Sequence, residues 1–369
     1  MPLHFLKTWA PFRIDALGLV TLLGVDELNL AIGRLACNRV TEYLPLLGGY
    51  IIANNGFVKP IPGFSVYNIT DGMMATDVAG WFCRWLICQD LTWSSTTIRI
   101  SKFPRRTMHI GREFIGFIVG AVALTPILTF ACIMGDWWGF TNTLSMLISV
   151  VVRRIAVGQH RIALDKATEN AMNMSLDRVK TFWTLPDGRV VTIITPRGIL
   201  IGCLLTTPQP PNPRLYYFSR ILGWIGFGSH VITLGMATLF SQLLSVTLLL
   251  TATILVAKRI GDNEYRIGSN LEVERHDSEG RDFRAAAYAR LELTTKEEAS
   301  MIAWNLFPHK SNESWWNKYQ TCKSSKILMS FSNWDQILAR KTEEIKSPKE
   351  KNGKEQKECG ELVKEGEVV

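Results

Sequence analysis

The apolar positions of the chain are concentrated in two stretches, residues 114–157 and residues 221–257. The first stretch contains two apolar runs. Residues 114–135 are 22 residues without a charged side chain. A helix rises about 1.5 Å per residue, so this run covers the roughly 30 Å hydrocarbon core of a bilayer. Residues 137–152 form a shorter apolar run that ends at Arg153 and Arg154. We predict a first transmembrane hairpin over residues 114–157.

The segment between the two runs reads Gly135-Asp136-Trp137-Trp138-Gly139. Glycine permits a chain reversal, and tryptophan is enriched at the membrane–water interface. Trp137 and Trp138 are therefore predicted interface anchors, and Asp136 is interpreted as a structural residue of the turn. Lysine and arginine are absent from the turn but frequent at both flanks, which predicts that the flanks are cytosolic.

The second apolar stretch, residues 221–257, has 37 residues without Asp, Glu, Lys or Arg. A single helix of this length would be about 55 Å long, which is too long for a bilayer without extreme tilt. We predict two helices that reverse near Gly235–Ser241, forming a second hairpin with cytosolic ends. The fold class is a mainly α-helical polytopic membrane protein with about four spans. Three spans, with the C-terminal tail on the outside, are the alternative.

Three positions within these runs are candidates for specific roles. Gly116 and Gly120 form a GxxxG pattern, which allows close helix packing in membranes. His230 is the candidate intramembrane polar residue, because an ionisable side chain at membrane depth is a functional-site hypothesis by default. The interpretation that we favour is a neutral imidazole that Ser229 or a backbone carbonyl of a neighbouring helix satisfies.

The central cytosolic loop, residues 158–220, begins with helical spacing of its apolar positions. This spacing predicts that the second membrane helix continues towards Lys180. Residues 181–206 are β-branched and aromatic runs that Pro186-Asp187-Gly188 and Pro196-Arg197-Gly198 interrupt. Such tripeptides favour tight turns, so we predict a small three-stranded antiparallel meander.

The N-terminal region, residues 1–113, is predicted to be soluble or interfacial. The apolar stretch at 16–25 is too short to span as a helix and is interpreted as an interfacial or amphipathic segment, with a signal anchor as the alternative. Residues 28–35 and 77–93 each show a helical apolar face. In the second, Trp81 and Trp85 are compatible with a membrane surface and equally with a soluble core.

The chain after the second hairpin is predicted to be soluble. Residues 258–340 are expected to be helical, with Thr295 and Glu298 as a capping box. Residues 341–369 are rich in Lys and Glu and have few large apolar residues, which predicts a disordered tail.

The formal charge of +8 changes the picture through its placement. Basic residues close the ends of the apolar runs, as is typical where flanks meet anionic lipid headgroups. We therefore expect the lipid bilayer and anionic headgroups as partners, and no nucleic acid. The seven cysteines include no CxxC pair, which indicates neither a disulfide framework nor a zinc site.

The search for chemistry assigns no catalytic, cofactor-binding or metal-ligating residue. Asp165 and Glu169 share a helix face, which is more typical of a solvated surface than of paired catalytic acids. Three glycosylation sequons begin at Asn68, Asn173 and Asn312. The predicted topology leaves all three in the cytosol, so they carry sugar only if that topology is wrong.

Several segments are similar to a family of uncharacterised integral membrane proteins of filamentous fungi. The segments are PGFSVYNITDGMMATDVAGWFCRW, HIGREFIGF, MGDWWGF and AYARLELTTKEEASMIAWNLFP. The resemblance covers most of residues 40–310 and implies an endomembrane or plasma-membrane protein. It implies no reaction, no ligand and no site residue.

Three functions are compatible with these patterns. The first is a non-enzymatic membrane anchor or organiser with cytosolic termini, which presents its cytosolic regions to a protein partner. The second is a small transporter or channel component that acts as a homo-oligomer, since about four spans are few for a pathway. The third is a membrane enzyme that acts on a hydrophobic metabolite.

Overall fold

The protein is described by a computed structural model. The structure describes residues 8–10, 25–38, 40–46, 50–91, 96–102, 110–277, 284–289 and 291–324. The parts of the predictions that concern residues 16–24, residues 92–93 and the chain from residue 325 onward lie outside these residues. The chain divides into two compact units, Met1–Asp277 and Ser278–Val369.

The first unit contains helices, short helical turns and strands. Its helices are α1 (Val25–Gly33), α2 (Tyr50–Ala53), α3 (Gly80–Ile87), α4 (Ile110–Met134), α5 (Trp137–Met174), α6 (Arg197–Ile199), α7 (Pro213–Met236) and α8 (Leu239–Ala257). Its strands are β1 (Ala36–Asn38), β2 (Ser65–Asn68), β3 (Met73–Ala75), β4 (Thr96–Lys102), β5 (Arg178–Thr184), β6 (Val190–Pro196), β7 (Asp262–Ile267) and β8 (Leu271–Asp277).

The strands form one eight-stranded sheet in the order β1-β7-β8-β4-β6-β5-β2-β3. The pair β4 and β6 is parallel, with Ile98 opposite Ile193. The other neighbours are antiparallel. The prediction of a β element confined to the central loop is therefore wrong, because the N-terminal region and the chain after α8 also supply strands.

Both helical hairpins are insertions between strands of this sheet. Helices α4 and α5 lie between β4 and β5 along the chain, and α7 and α8 lie between β6 and β7. Parallel neighbours such as β4 and β6 need a long crossover connection, and the first hairpin with β5 provides it. The sheet and both hairpins consequently belong to one compact unit.

The predicted reversal of the first helical hairpin is confirmed, because Gly135 and Asp136 lie between α4 and α5. Helix α5 continues beyond Arg154, as predicted, and ends at Met174 after 38 residues. The second apolar stretch is broken at Ala237 and Thr238, within the predicted segment. Three helices of the described residues are long and apolar enough to cross a membrane, namely Phe114–Met134, Trp137–Met174 and Leu239–Ala257.

The predicted third strand of the meander is wrong. Strands β5 and β6 form, but the chain after Pro196 becomes α6 and then a π-helix, Leu200–Leu205. The edge of β6 that a third strand would use is already paired with β4. The apolar residues Leu200, Cys203 and Leu204 are buried instead, and Cys203 Sγ lies 3.6 Å from Thr168 Oγ1 of α5.

Helix α3 is a core helix, which decides between the two interpretations of its aromatic face. Phe82 is fully buried, and its ring stacks on Trp85 at 5.8 Å and meets the ring of Trp183 edge-on at 5.1 Å. Trp81 donates from Nε1 to the carbonyl of Cys203 at 2.9 Å. Aromatic pairs of this kind add about 0.5–1.5 kcal/mol beyond the area that they bury.

The second unit contains α9 (Arg284–Ala289), α10 (Thr295–Ala303) and α11 (Glu313–Ser324). The capping box at α10 is formed by Thr294 and Glu297, one residue earlier than predicted. Thr294 has the extended backbone that an N-cap requires, whereas Thr295 is already helical. Phe307 packs against Trp315 and Tyr319 of α11, with ring centroids 4.9 and 5.2 Å away.

Arg84 provides a test of the core around α3. Its buried guanidinium donates to the carbonyls of Lys59 at 2.6 Å, Gly80 at 2.8 Å and Gly56 at 2.9 Å. We expect Arg84→Met to lower the free energy of unfolding by about 3 kcal/mol, because three backbone carbonyls lose a charged donor. The matched change Arg189→Met, at a partly exposed pair with Asp187, should cost under about 1 kcal/mol. Thermal unfolding in detergent measures both, and equal losses would contradict the assigned role.

Candidate functional site

Asp136 joins the ends of the two helical hairpins. Its Oδ1 accepts from the backbone N–H of Gly139 at 3.0 Å, which caps the N-terminus of α5. Its Oδ2 accepts from the backbone N–H of Thr238 at 3.0 Å and from the Thr238 hydroxyl at 2.7 Å. Thr238 is the N-cap of α8. One carboxylate therefore serves both helix N-termini and holds the two turns together.

The surroundings of Asp136 favour its ionised form. Burial raises the pKa of the Asp136 carboxyl, but hydrogen bonds from Gly139, Thr238 and Ser241 outweigh burial and lower the pKa below its usual value. Gly139 is required for this geometry, since a Cβ there would lie 2.7 Å from Asp136 Oδ2 and 2.9 Å from Ser241 Oγ. Asp136 therefore has the structural role that the sequence predicts. It also binds Thr238, a partner that the sequence spacing did not reveal.

The opposite end of the hairpins carries a cluster of arginines. Arg153 is buried and donates to the carbonyls of Thr41 at 3.1 Å, Glu42 at 2.6 Å and Leu44 at 2.8 Å. The Glu42 carboxylate pairs with Arg154 at 2.5 Å and also with Arg161. Arg154 additionally lies 5.1 Å from the ring centroid of Tyr43.

These contacts change the interpretation of the basic flank of the first hairpin. Arg153 and Arg161 are 8% and 9% exposed, so their guanidinium groups lie inside the protein rather than in the headgroup layer. Arg161 donates to the carbonyls of Leu35 at 3.1 Å and Ala36 at 2.7 Å. The residues 35–44 are thereby fixed against α5 where it leaves the predicted span.

Helix α7 packs along α5 through small residues. A Cβ at Gly223 would lie 3.1 Å from Val152, and one at Gly226 would lie 3.0 Å from Ile148. The order of these contacts makes the two helices antiparallel. Four residues beyond Gly226, His230 is therefore level with Ser145 of α5.

His230 has no hydrogen-bond partner among the described residues. Both ring nitrogens are buried, and the residue is 8% exposed. The interpretation that Ser229 or a backbone carbonyl of a neighbouring helix satisfies the imidazole is wrong, because neither ring nitrogen of His230 has a partner among the described residues. An unpaired buried polar atom lowers the free energy of unfolding by about 1–3 kcal/mol, so the imidazole of His230 destabilises the fold.

Further polar residues of α5, α7 and α8 are buried. We call this group the polar seam, and its members are Asn142, Ser145, His230, Thr233, Gln242 and Ser245. Asn142 Nδ2 donates to Ser245 Oγ at 3.0 Å, while Asn142 Oδ1 is buried without a partner. Of these residues only His230 was predictable from its charge, because Ser, Thr, Asn and Gln carry none. The polar residues lie three positions apart in each helix and therefore on one helix face, and this spacing is the pattern from which they could be predicted.

The remaining predicted residues are placed as follows. Gly116 is buried, and the close approach at Gly120 is made by Tyr43 of the 3-10 turn Thr41–Tyr43 rather than by a second membrane helix. Trp137 and Trp138 are 76% and 48% exposed at the start of α5. Both tryptophans are thus free to serve as interface anchors.

The three sequons differ in their surroundings. Asn68 is buried, and its Nδ2 donates to Asp71 Oδ2 at 2.7 Å, so the atom that would carry a sugar is occupied. Asn173 is exposed near the end of α5. Asn312 is exposed, and its Oδ1 accepts from the backbone N–H of Trp315 at 3.2 Å.

Asp165 is half-buried and Glu169 is exposed, and both bind the turn between β7 and β8. Asp165 Oδ1 accepts from the backbone N–H groups of Ser269 at 2.8 Å and Asn270 at 3.2 Å. Glu169 Oε1 accepts from Asn270 Nδ2 at 3.2 Å. Among the described residues, no three His, Cys, Asp or Glu side chains converge as a metal site would require.

Comparison of the chain with protein-family models, with curated proteins and with solved structures gives no match.

The link at Asp136 generates a stability prediction. We expect Asp136→Ala to lower the free energy of unfolding by about 2–4 kcal/mol, because a helix cap and two bonds to a charged acceptor are lost. Asp187→Ala is the matched control, since Asp187 is 47% exposed in a turn and accepts from Arg189. Its loss should stay under about 1 kcal/mol, and thermal unfolding in detergent compares the two variants.

The ionised carboxylate of Asp136 should make the stability of the fold depend on pH. A folded-state pKa below the unfolded value means that ionised Asp136 stabilises the fold above about pH 4, and that this stability is lost as the pH falls through the folded pKa. The advantage of the native chain over Asp136→Asn should therefore be present at about pH 7 and shrink towards about pH 3. An advantage of equal size at both pH values would contradict this assignment.

Proposed function

We propose that the protein is a four-span, non-enzymatic membrane anchor or organiser that holds a mixed α/β domain against the cytosolic face. Two features support the proposal. The first is the length over which α7 accompanies α5. The second is the continuity of α5 from the hairpin turn into the sheet domain.

The fourth span rests on the contacts of α7. Near its N-terminus, the Tyr216 hydroxyl lies 3.0 Å from His160 Nε2 of α5. At its C-terminus, Ala237 and Thr238 lead into α8 beside Asp136. Helix α7 therefore covers the same depth as α5 from residue 160 to the turn. If α5 crosses the bilayer, α7 crosses it too.

The anchor function rests on how α5 enters the domain. This helix is about 57 Å long, nearly twice the hydrocarbon thickness, so its second half stands in the aqueous phase. That half carries Arg161, Asp165 and Glu169, which bind residues 35–42 and the turn between β7 and β8. A domain fixed in this way keeps a defined orientation to the membrane, which suits the presentation of a surface to a protein partner.

The proposal includes the membrane setting that the sequence suggested. Trp137 and Trp138 lie at the outer interface, both termini are cytosolic, and Lys258 meets anionic headgroups. The resemblance to integral membrane proteins of filamentous fungi suggests an endomembrane or plasma membrane.

Cysteine labelling in sealed vesicles tests the four-span arrangement. The background replaces Cys132 and Cys359 by Ser, because Cys132 is exposed and Cys359 lies outside the described residues. Single cysteines then replace Trp137, Met236 and Met174, which are 76%, 59% and 84% exposed. With the outer face accessible, an impermeant maleimide should label positions 137 and 236 directly, and position 174 only after permeabilisation.

Two outcomes would contradict the arrangement. Labelling of position 236 only after permeabilisation, with position 137 labelled directly, would reject α7 as a span. Sugar on Asn173 or Asn312 would reject the cytosolic placement of the sheet domain or of the second unit.

A second candidate function is a small transporter or channel component that acts as a homo-oligomer. The observation that favours it is the unpartnered His230 within the polar seam. Ionisable and polar groups inside membrane bundles mark ion pathways and proton relays. A proton pathway through the imidazole would explain why both of its nitrogens are buried without a protein partner, although this burial lowers the stability of the fold.

A proton-flux measurement decides on this second candidate. Purified protein in vesicles that contain a pH-sensitive dye should conduct protons under an imposed potential, and His230→Leu should reduce flux to the level of empty vesicles. Ser229→Ala, at the adjacent half-buried position, is the control and should leave flux unchanged. His230→Leu should also keep or raise the unfolding temperature, because an unsatisfied imidazole is removed. Native protein that conducts no better than empty vesicles would reject the candidate.

A further inference from the structure

A pocket rich in arginine lies between α1, β1, α5 and the start of β7, and we call it the arginine pocket. Its volume is about 50 Å³, which leaves room for roughly three to five water-sized groups. The charged side chains that line it are Arg34, Glu42, Arg153, Arg154, Arg161 and Asp262. Four arginines and two carboxylates give the pocket a formal charge of +2.

The two carboxylates of the arginine pocket pair with three of its arginines. Asp262 forms an ion pair with Arg34. Glu42 pairs with Arg154 at 2.5 Å through one oxygen and with Arg161 through the other. Two negative charges shared among three guanidinium groups leave a positive surplus, even before the fourth arginine is considered.

Arg153 is the fourth arginine, and it has no carboxylate within ion-pair distance in the described part of the chain. Its hydrogen bonds all run from Nη2 to the backbone carbonyls of Thr41, Glu42 and Leu44. Its Nε and Nη1 have no acceptor among the described residues. Because Arg153 is only 8% exposed, its uncompensated charge lowers the stability of the fold. An anion in the pocket would supply both the missing charge and the missing acceptors.

The arginine pocket is accessible from one end. The side chain of Arg154 is 26% exposed, whereas that of Arg34 is 2% exposed, so the pocket opens beside Arg154. Arg153 in α5 and Val256 in α8 lie about 25 Å from the outer ends of their helices. A bilayer core is roughly 30 Å thick, so in the proposed arrangement this opening lies near the cytosolic interface.

We propose that the arginine pocket binds one phosphate monoester group between Arg153 and Arg154. Guanidinium groups bind phosphate oxygens through paired N–H donors. A phosphate monoester carries about −1.5 to −2 charges near pH 7, which matches the surplus of the pocket. A carboxylate carries a single charge and would leave part of the surplus uncompensated.

Two sources can supply this group. One is a small soluble phosphate, and the other is the headgroup of phosphatidic acid in the cytosolic leaflet. Only the second source requires the membrane arrangement proposed above, because every residue of the pocket belongs to the first compact unit. The inference therefore goes beyond the anchor function, which assigns no ligand.

Calorimetric titration of the purified full chain in detergent tests the proposal. The probe is inorganic phosphate, and sodium chloride keeps the ionic strength constant. We expect saturable binding of one phosphate per chain. Arg154→Gln should weaken this binding by about tenfold, because a charge-assisted hydrogen bond is lost. Arg154→Lys keeps the charge but not the planar fork of donors, so its affinity should be intermediate.

Arg220→Gln is the matched control. Arg220 lies about 24 Å from the outer end of α7, close to the depth of Arg153. It donates to the carbonyl of Ala53 at 2.9 Å and does not line the pocket. Its replacement should leave the affinity for phosphate unchanged.

Glu42→Gln should change the affinity in the opposite direction. This variant removes one negative charge from the pocket and releases donors of Arg154 and Arg161. Phosphate should therefore bind about tenfold more tightly. A folding defect does not produce tighter binding, so the opposite effects of Glu42→Gln and Arg154→Gln separate a change in the site from a loss of structure.

Short-chain phosphatidic acid and phosphatidylcholine distinguish the two sources in the same titration. Phosphatidic acid that displaces phosphate, while phosphatidylcholine does not, identifies the lipid headgroup. Phosphate binding without competition from phosphatidic acid identifies a soluble ligand.

Three results would overturn the inference. The first is the absence of saturable binding of both phosphate and phosphatidic acid, or equal competition by phosphatidylcholine. The second is an equal loss of affinity in Arg154→Gln and Arg220→Gln, and the third is weaker binding in Glu42→Gln. Phosphate binding in detergent is independent of the vesicle labelling described above, so the pocket and the four-span arrangement can each fail alone.

Discussion

The carboxylate of Asp136 is the constraint on which the arrangement of the helices depends. It accepts from Gly139 at the start of α5 and from Thr238 at the start of α8. Two reversals far apart in the chain are thereby held at one end of the bundle. With both turns at one level, α7 must lie alongside α5, and its small residues make that approach close enough to bury His230 and Asn142.

The opposite end is fixed by a different kind of contact. Arg153 and Arg161 bring five backbone carbonyls of residues 35–44 against α5, and Glu42 neutralises part of their charge. Buried guanidinium groups are tolerated where their N–H groups find acceptors. All three guanidinium nitrogens of Arg161 donate, and Nη2 of Arg153 lies within hydrogen-bond distance of three carbonyls. Along the chain, a strand of the sheet precedes each hairpin and another follows it. The candidate membrane helices and the sheet are consequently parts of one compact unit.

Sequence reasoning succeeded where the signal was local and failed where it depended on pairing. The apolar runs, the break at Ala237 and Thr238, and the extension of α5 all follow from hydropathy and helical spacing. The third meander strand failed because the edge of β6 belongs to β4, a strand almost 90 residues earlier. The position of Arg153 at the end of an apolar run predicts contact with lipid headgroups. Its guanidinium is buried instead, because it donates to carbonyls of residues 41–44. Neither outcome leaves a trace in the local pattern.

The sequence by itself determined which segments avoid water, how long they are and where they reverse, because those properties depend on the hydrophobicity and rise of consecutive residues. It also marked Asp136 and His230 as unusual through their position in apolar surroundings. Only the tertiary structure decided what these residues meet. Asp136 finds Thr238 across the hairpins, whereas His230 finds no partner among the described residues. Hydrogen bonds and strand pairing act between residues distant in the chain, so their partners are fixed by the fold as a whole.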